Sequence, residues 1–454
     1  MYFRGQKFLV AGISRSGESS ARFLLARGAE VYIYDDVMGG NVEKTCRELV
    51  ALGAKEVTAE NYNDAVRVCD VLVLSPGIPI DNPLPVAFRR LGKAITGEEE
   101  LASHYLRATQ IAVTGTNGKT TTVSMINKVL GDCGKNSVMC GNCGDPTLNY
   151  VEKLSFDDFA VMEISSFQLE TLSGLRSHVA VITNITEDHL NRHYNMENYV
   201  YLKSKLIRGL RESEYAVLNY DDERVRALAQ VTKGKTVFFS VKEVIDGACV
   251  ENGQLTCFGK NYMKVSDLPV GGEHNVCNAL ACIAVSNILG LDAQSVGRSL
   301  ASFRGVRHRI EHVAEIDGVT YINDSKGTNV DATLKAVNCM TRPTVLLLGG
   351  KDKGYDYSAL FDTFVNGSRV IHTVLYGENR FKLLNSCLRS GFMNFSLCAK
   401  FSDAVMLARS VAGAGQNVLL SPASASFDEF GGYEERGERF IAIVQSFENA
   451  QSAV

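Results

Sequence analysis

The run Thr114-Gly115-Thr116-Asn117-Gly118-Lys119-Thr120 constrains this chain more than any other feature. Three apolar residues, Ile111-Ala112-Val113, precede it, and a helical pattern over Thr120–Leu130 follows. A buried strand, a tight glycine-containing turn and a helix N-terminus, in that order, aim backbone N–H groups at phosphate oxygens. Lys119 is then placed to meet β- and γ-phosphates, and the Thr120 hydroxyl to sit on a magnesium ion. The spacing departs from G-x-x-x-x-G-K-[ST], because Val113 occupies the first glycine position. The bland alternative is an ordinary strand–turn–helix with a surface lysine; Gly118-Lys119-Thr120-Thr121 at the helix start argues against it.

Apolar runs alternate with helical patterns along the rest of the chain, among them Phe8–Ala11, Val31–Tyr34, Val71–Leu74, Ala160–Ile164, Val179–Thr183, Thr344–Leu348 and Val418–Leu420. Such runs suit strands buried on both faces, and their alternation with helices predicts an α/β protein with mostly parallel sheets. At 454 residues the chain exceeds what one core of about 250–300 residues covers, so several domains are expected. A proline-dense loop at Pro76–Pro85 and the run Gly97-Glu98-Glu99-Glu100, read as opening a short polar helix, set one boundary. A helix end at Phe303-Arg304-Gly305 sets the second, giving domains 1–97, 98–304 and 305–454. The stretch 236–273, with shorter runs and glycine breaks, reads as hairpins attached to the central domain.

Ligands of open parallel sheets sit beyond the carboxyl ends of the strands. In the central domain those ends carry Glu163, then Ser165, and later Asp188-His189. Glu163 is a natural oxygen ligand for a hard cation. On the helical stretch Asn198–Leu210, Tyr199, Lys203 and Ile207 share one face while Lys205 lies on roughly the opposite one, so at most one of the two lysines faces the crevice. The first domain has Gly12–Gly17 after its first strand and Asp35 about 20 residues on, a weak dinucleotide-fold signal that admits a nucleotide-like ligand, with Ser75-Pro76-Gly77-Ile78 able to close over it. Three strand ends of the last domain carry Asp324-Ser325-Lys326-Gly327-Thr328, Lys351-Asp352-Lys353 and Ser421–Asp428, a set suited to a small anion.

Other classes are narrowed by bulk properties. The net charge of −4 argues against a nucleic-acid binder. No signal peptide and no membrane-spanning run is read, so the cytoplasm is the expected compartment. Twelve cysteines are scattered; Cys140-Gly141-Asn142-Cys143 lacks a second pair that would complete a zinc site. A nicotinamide oxidoreductase and a non-catalytic nucleotide sensor remain competing readings; the first would require bound NAD(P), the second binding without phosphate release.

Taken in order, Thr114–Thr120, the Glu163 strand, Asp188-His189, His274-Asn275-x-x-Asn278-Ala279 and Asn323-Asp324-Ser325-Lys326 resemble the Mur ligase superfamily over essentially the whole chain. The resemblance implies a Rossmann-like nucleotide-sugar domain, a P-loop-type ATPase domain and a Rossmann-like C-terminal domain. Glu163-Ile164-Ser165-Ser166-Phe167-Gln168-Leu169 and Ser75-Pro76-Gly77-Ile78 are similar to the branch adding D-glutamate to UDP-N-acetylmuramoyl-L-alanine through an acyl phosphate in peptidoglycan synthesis. It further implies ATP and two Mg²⁺ ions, with Thr120, Glu163, His189 and a carbamylated Lys203 as metal ligands. Gly115, Thr116, Asn117, Gly118, Lys119, Thr120, Thr121, Asn275, Asn278, Arg309 and Asp324 would meet ATP. Ser14, Asp35, Ser75, Gly77, Asn142 and Ser165 would meet the UDP-substrate. Lys326, Thr328, Lys353, Ser426 and Tyr433 would hold D-glutamate, with Lys351 an alternative to Lys353. Departures from the family pattern are Tyr433 for Phe, Ser424 for Cys and Gly327 for Ala. The enzyme is expected to act as a monomer on small molecules, without membrane insertion.

Overall fold

Each apolar run becomes a strand flanked by helices, and the strands assemble into three sheets. The computed structural model describes residues 3–36, 39–58, 60–175, 177–352 and 354–451. Two compact units divide at Phe303/Arg304. The first unit holds two sheets. Strands β1 (Lys7–Ala11), β2 (Glu30–Tyr34), β3 (Lys55–Glu56), β4 (Val71–Leu74) and β5 (Ala94–Thr96) form a parallel sheet in the order β3-β2-β1-β4-β5.

The second sheet contains β6 (Thr109–Thr114), β7 (Ser137–Gly141), β8 (Phe159–Glu163), β9 (Val179–Ile182), β10 (Tyr215–Asn219), β11 (Lys235–Ser240), β12 (Gly247–Glu251), β13 (Gln254–Cys257) and β14 (Lys260–Lys264). Its order is β14-β13-β12-β11-β10-β9-β6-β8-β7. The phosphate-loop strand β6 therefore lies between β8 and β9, the strands that lead to Glu163 and toward His189. This neighbourhood gathers the candidate residues at one end of the sheet. The stretch 236–273 holds two hairpins, β12–β13 and β13–β14, and they extend the edge of the central sheet. Strands β11 and β12 continue the parallel sheet, and β13 pairs antiparallel with both β12 and β14. Short runs with glycine breaks look alike whether they border a sheet or stand outside it.

The second unit has β15 (Glu311–Ile316), β16 (Val319–Asn323), β17 (Thr344–Gly349), β18 (Val370–Tyr376), β19 (Phe395–Leu397) and β20 (Asn417–Leu420), ordered β15-β16-β20-β17-β18-β19. All pairs are parallel except β15 with β16. Apolar clusters cover both faces, one around Leu346, Leu348 and Phe361, the other around Leu347, Val374 and Phe440. In the first unit one apolar cluster runs from Phe3, and from Phe8 and Val10 of the first sheet, through Ala102 and Leu106 to Ala112 and Met162 of the second.

The helix Glu98–Tyr105 corrects the reading of a polar segment: Glu98 and Glu99 are both buried. Leu148 N donates to Glu98 Oε1 at 2.6 Å, Thr147 Oγ1 to Glu99 Oε2 at 2.8 Å and Gln168 Nε2 to Glu99 Oε1 at 2.9 Å. Burial pushes the Glu98 carboxyl up to about 7, and burial together with Glu98 raises Glu99. The folded chain thus holds protons that the unfolded chain releases above the ordinary glutamate value of 4.5. Raising the pH favours the unfolded chain, by roughly 3 kcal/mol for one such group across the window from 4.5 to 7. The thermal midpoint of the first unit is expected to fall between pH 5 and 7, and Glu98→Gln to flatten that slope. Calorimetry across this range checks it, and an equally steep slope in the variant would disprove the assignment.

Candidate active site

The phosphate loop is built by hydrogen bonds between β6 and the segment after β9. Thr116 N donates to Asn184 O at 2.8 Å, and Asn117 N to Asn184 Oδ1 at 2.8 Å. Asn184 Nδ2 and Thr183 Oγ1 return bonds to Asn117 O at 3.0 and 2.6 Å. Gly118 caps the helix Lys119–Asp132 in the left-handed region at φ 83°, and a Cβ there would strike Asn278 Oδ1. At Gly115 a Cβ would fall on Thr183 Oγ1. These two glycines are therefore demanded by contact as well as by backbone angle. Asn278 also accepts from Thr122 Oγ1 at 3.2 Å and donates to Asn275 Oδ1 at 3.3 Å, so Asn278 stands against the loop with Asn275 beside it. Thr120 is buried and Thr121 half-buried at the helix start.

Two lysines reach the loop. Lys119 Nζ donates to Gly115 O and Thr116 O, both at 2.9 Å. Lys203, on the helix Met196–Arg208, is 1% exposed and donates to Gly115 O at 2.8 Å. Burial, and then the Lys119 charge, hold its amine well below the usual lysine range. Lys205 is turned away and donates to Leu169 O and Glu170 O at 2.9 and 3.2 Å. The helix-face argument left one lysine for the crevice, and the geometry selects Lys203. Tyr199 of the same face bonds Thr116 Oγ1 at 3.2 Å and lies under the Lys203 ammonium at 4.6 Å.

Glu163 ends β8 in register with Val113, the residue before the loop. It is 2% exposed; Oε1 accepts from Asn142 Nδ2 at 2.6 Å, while Oε2 has no hydrogen-bond partner. A buried carboxylate oxygen left without a donor is costly unless something else meets it. A cation or a ligand donor would fit it. His189 is exposed, has a left-handed backbone at φ 54° and packs against Phe167 at 4.9 Å. Among the described residues no three of His, Cys, Asp and Glu cluster into an all-protein metal site. The donors present suit magnesium, which takes one or two carboxylates and completes its shell with phosphate and water oxygens.

The first sheet presents Ser14, Asp35 and Ser75 at the ends of β1, β2 and β4. Asp35 Oδ2 accepts from Ile13 N at 2.6 Å, Ser75 Oγ donates to Gly12 O at 2.6 Å, and Ser14 and Gly77 are exposed. Asn142 is exposed apart from its bond to Glu163. Ser165 caps the helix Ser166–Glu170 through a capping box with Gln168, whose amide reaches Glu99. Cys140, next to this turn, is buried and its thiol is pushed up by that burial, which fits packing rather than redox chemistry.

In the second unit, Asp324 is buried, with Oδ2 accepting from Ser421 Oγ at 2.7 Å and Oδ1 from Ile310 N at 3.2 Å. Burial pushes it up to about 7, against the pull of Arg309. Lys326 Nζ lies 5.7 Å from the Tyr433 ring, Thr328 N donates to Lys326 O at 2.9 Å, and Ser426 is buried. Ala423 N donates to Gly327 O at 2.9 Å, so the two loops are sewn together. A Cβ at Gly327 would meet Asp324 Oδ2 at 2.5 Å, so an alanine requires that carboxylate to shift. Lys351 pairs with Glu378 at 2.6 Å, and Lys353 lies outside the described residues.

Sequence reasoning missed Arg436. It is fully buried and donates to Ser325 Oγ and Ser325 O, Ser424 O and Ala425 O at 3.0, 2.9, 3.0 and 3.2 Å. Arg192, whose side chain is 13% exposed and paired with Glu170, was missed likewise. Arginine is usually a surface residue, and nothing local in either stretch signals burial.

The Mur ligase middle domain pattern matches residues 113–286, and the Mur ligase, glutamate ligase domain pattern matches residues 308–424. The chain is 40% identical over 451 residues to the UDP-N-acetylmuramoylalanine--D-glutamate ligase of Pelotomaculum thermopropionicum, covering 98% of each chain. It is 35% identical to the enzyme of the same name from Clostridioides difficile, covering 97% of this chain and 98% of the other. The fold matches that of the UDP-N-acetylmuramate-alanine ligase of Thermotoga maritima with a TM-score of 0.56 at 21% identity, over 97% and 99% of the two chains.

Proposed function

The chain belongs to the UDP-N-acetylmuramoylalanine--D-glutamate ligases of the Mur ligase family, and from that premise we propose how its residues divide the reaction. The enzyme joins D-glutamate to UDP-N-acetylmuramoyl-L-alanine at the expense of ATP, a step of peptidoglycan precursor synthesis that we place in the cytoplasm. No helix among the described residues is long and apolar enough to cross a membrane.

The alanyl carboxylate attacks the γ-phosphorus of ATP and ADP leaves, giving an acyl phosphate. The amine of D-glutamate then attacks the acyl carbon, phosphate leaves, the nitrogen gives up a proton and an amide remains. Phosphoryl transfer asks the protein mainly for positioning and charge neutralisation. The loop amides of Gly115–Thr120 and the Lys119 ammonium hold the β- and γ-phosphates, and Asn275 and Asn278 hold adenine. Asp324 and Arg309 serve the ribose and phosphate side. Magnesium, when bound, neutralises phosphoryl oxygens; Thr120, the partnerless Oε2 of Glu163, His189 and a Lys203 carbamate would hold it. Ser14, Asp35, Ser75 and Gly77 take the uridine diphosphate, Asn142 and Ser165 the muramoyl-alanine part. Lys326, Thr328, Ser426 and Tyr433, with Lys351 or Lys353, take D-glutamate.

The observation that carries this assignment is the convergence of Lys119 and Lys203 on the Gly115 carbonyl, one strand from a buried carboxylate with a partnerless oxygen. The test is phosphate release from ATP and Mg²⁺. Release is expected to require UDP-N-acetylmuramoyl-L-alanine and D-glutamate together, with L-glutamate inactive. Release independent of either substrate would refute the assignment.

A further inference from the structure

Three consecutive carbonyls of the loop after β4 end on one guanidinium, carried by the short helix Leu190–His193 that follows β9 in the same unit. Arg192 Nη2 donates to Pro76 O and Ile78 O, each at 3.0 Å, and Nη1 donates to Gly77 O at 3.3 Å. Its remaining bonds go to Glu170, from Nε at 2.9 Å and from Nη2 at 2.7 Å. The Arg192 and Glu170 side chains are 13% and 5% exposed, so this is a largely buried pair. The guanidinium lies 4.5 Å from the centre of the Phe167 ring, which also packs against His189 and His193. Two residues on, Tyr194 donates to Asp81, a second tie to the same stretch.

The loop has few fastenings of its own. Ser75 holds to Ala11 O and Gly12 O, and Ile78 N turns back to Ser75 O. Beyond these, its carbonyls are collected by Arg192. Five donors in a planar fork can meet three carbonyls and a carboxylate at once; a lysine ammonium cannot.

We propose that Arg192 is a positioning residue that sets the Ser75–Ile78 loop, and with it the nucleotide end of the UDP-substrate, against the Glu163 and His189 end of the central sheet. This rests on the assignment of Ser75 and Gly77 to the uridine diphosphate. Arg192 touches no reacting atom; it acts through the loop, with Glu170 anchoring it and Phe167 fixing the plane of the guanidinium.

The experiment is steady-state phosphate release by the full-length enzyme, with each substrate varied in turn. Wild type is measured first; if its release does not depend on UDP-N-acetylmuramoyl-L-alanine, it is the ligase assignment that fails. Given that dependence, Arg192→Ala is expected to raise KM for the UDP-substrate by roughly tenfold or more, since small misplacements of a bound substrate are costly, and to leave KM for ATP within about twofold. Guanidinium ion added to Arg192→Ala should recover part of the loss, and Arg192→Lys should fall between the two. Because Arg192→Ala can lose its fold, Glu170→Gln is measured in parallel; it keeps the packing and weakens the anchor, and a smaller shift of the same kind is expected. A selective rise for the UDP-substrate in either folded variant supports the proposal. Unchanged KM values in the folded variants, or a parallel rise for ATP and UDP-substrate, would overturn it.

Discussion

Lys203→Ala is expected to lower turnover by on the order of 10³-fold, the scale set by loss of a preorganised charge at a reacting phosphoryl group. The side chain is buried and its amine donates to a carbonyl of the phosphate loop. An ammonium ion in that position would sit beside Lys119, which the electrostatics oppose. A neutral amine can add to carbon dioxide, forming an N–C bond and releasing one proton, and the product is a carboxylate-like group at the loop. If Lys203 works in that form, formate or acetate supplied to Lys203→Ala should occupy the vacated space and restore part of the rate. Stripping bicarbonate from the wild-type enzyme should slow it. Lys205→Ala should retain most activity, because its amine is spent on Leu169 and Glu170 carbonyls. Full activity in Lys203→Ala, or loss confined to Lys205→Ala, would show that the wrong lysine has been chosen.

The second large effect is expected at Arg436. Truncation to alanine removes four hydrogen bonds and leaves the carbonyls of Ser325, Ser424 and Ala425 without this donor in a buried place. Breaking such a network costs about 3–5 kcal/mol. For a unit of this size that corresponds to a fall of roughly 10 °C in thermal midpoint. With Lys326 and Ser426 holding D-glutamate as proposed, the same change would reach function, since Ser325 precedes Lys326 and Ala425 precedes Ser426. KM for D-glutamate should rise by at least roughly tenfold in whatever fraction folds, with KM for the UDP-substrate little changed. Arg436→Lys should be intermediate, as it keeps the charge without the fork. Scanning calorimetry and D-glutamate titration read the two arms. A wild-type melting curve together with wild-type D-glutamate kinetics would remove Arg436 from this role.

The legible parts of the molecule were those whose cause is local. Three apolar residues before Gly115 and Gly118, and Lys119 directly after, specify strand, turn and helix within a dozen residues, and the loop formed there. The opposition of Lys203 and Lys205 follows from helical pitch, and burial confirms which of them faces the loop. What escaped the sequence depends on partners far along the chain. Glu98 and Glu99 read as the start of a short polar helix; the hydrogen bonds that satisfy them once buried come from Leu148, Thr147 and Gln168, some 50 to 70 residues away. Arg192 and Arg436 are invisible for the same reason, as three acceptors of each are backbone carbonyls that any residue could carry. The hairpins read in 236–273 are present as β12–β13 and β13–β14, whereas the parallel pairing of β11 with β10 and β12 went unread because it is a property of the sheet they join.

The continuous apolar cluster that joins the first sheet to the second bears on how this protein can be taken apart. Phe3, Phe8 and Val10 share that cluster with Ala102, Leu106, Ala112 and Met162, so a fragment cut near residue 97 would carry an oily flank into water. The segment that begins at Arg304 brings its own apolar filling to both faces of its sheet. Anyone exchanging parts between relatives would therefore graft that flank along with the first sheet, whereas a junction at Phe303 leaves the oily seam closed.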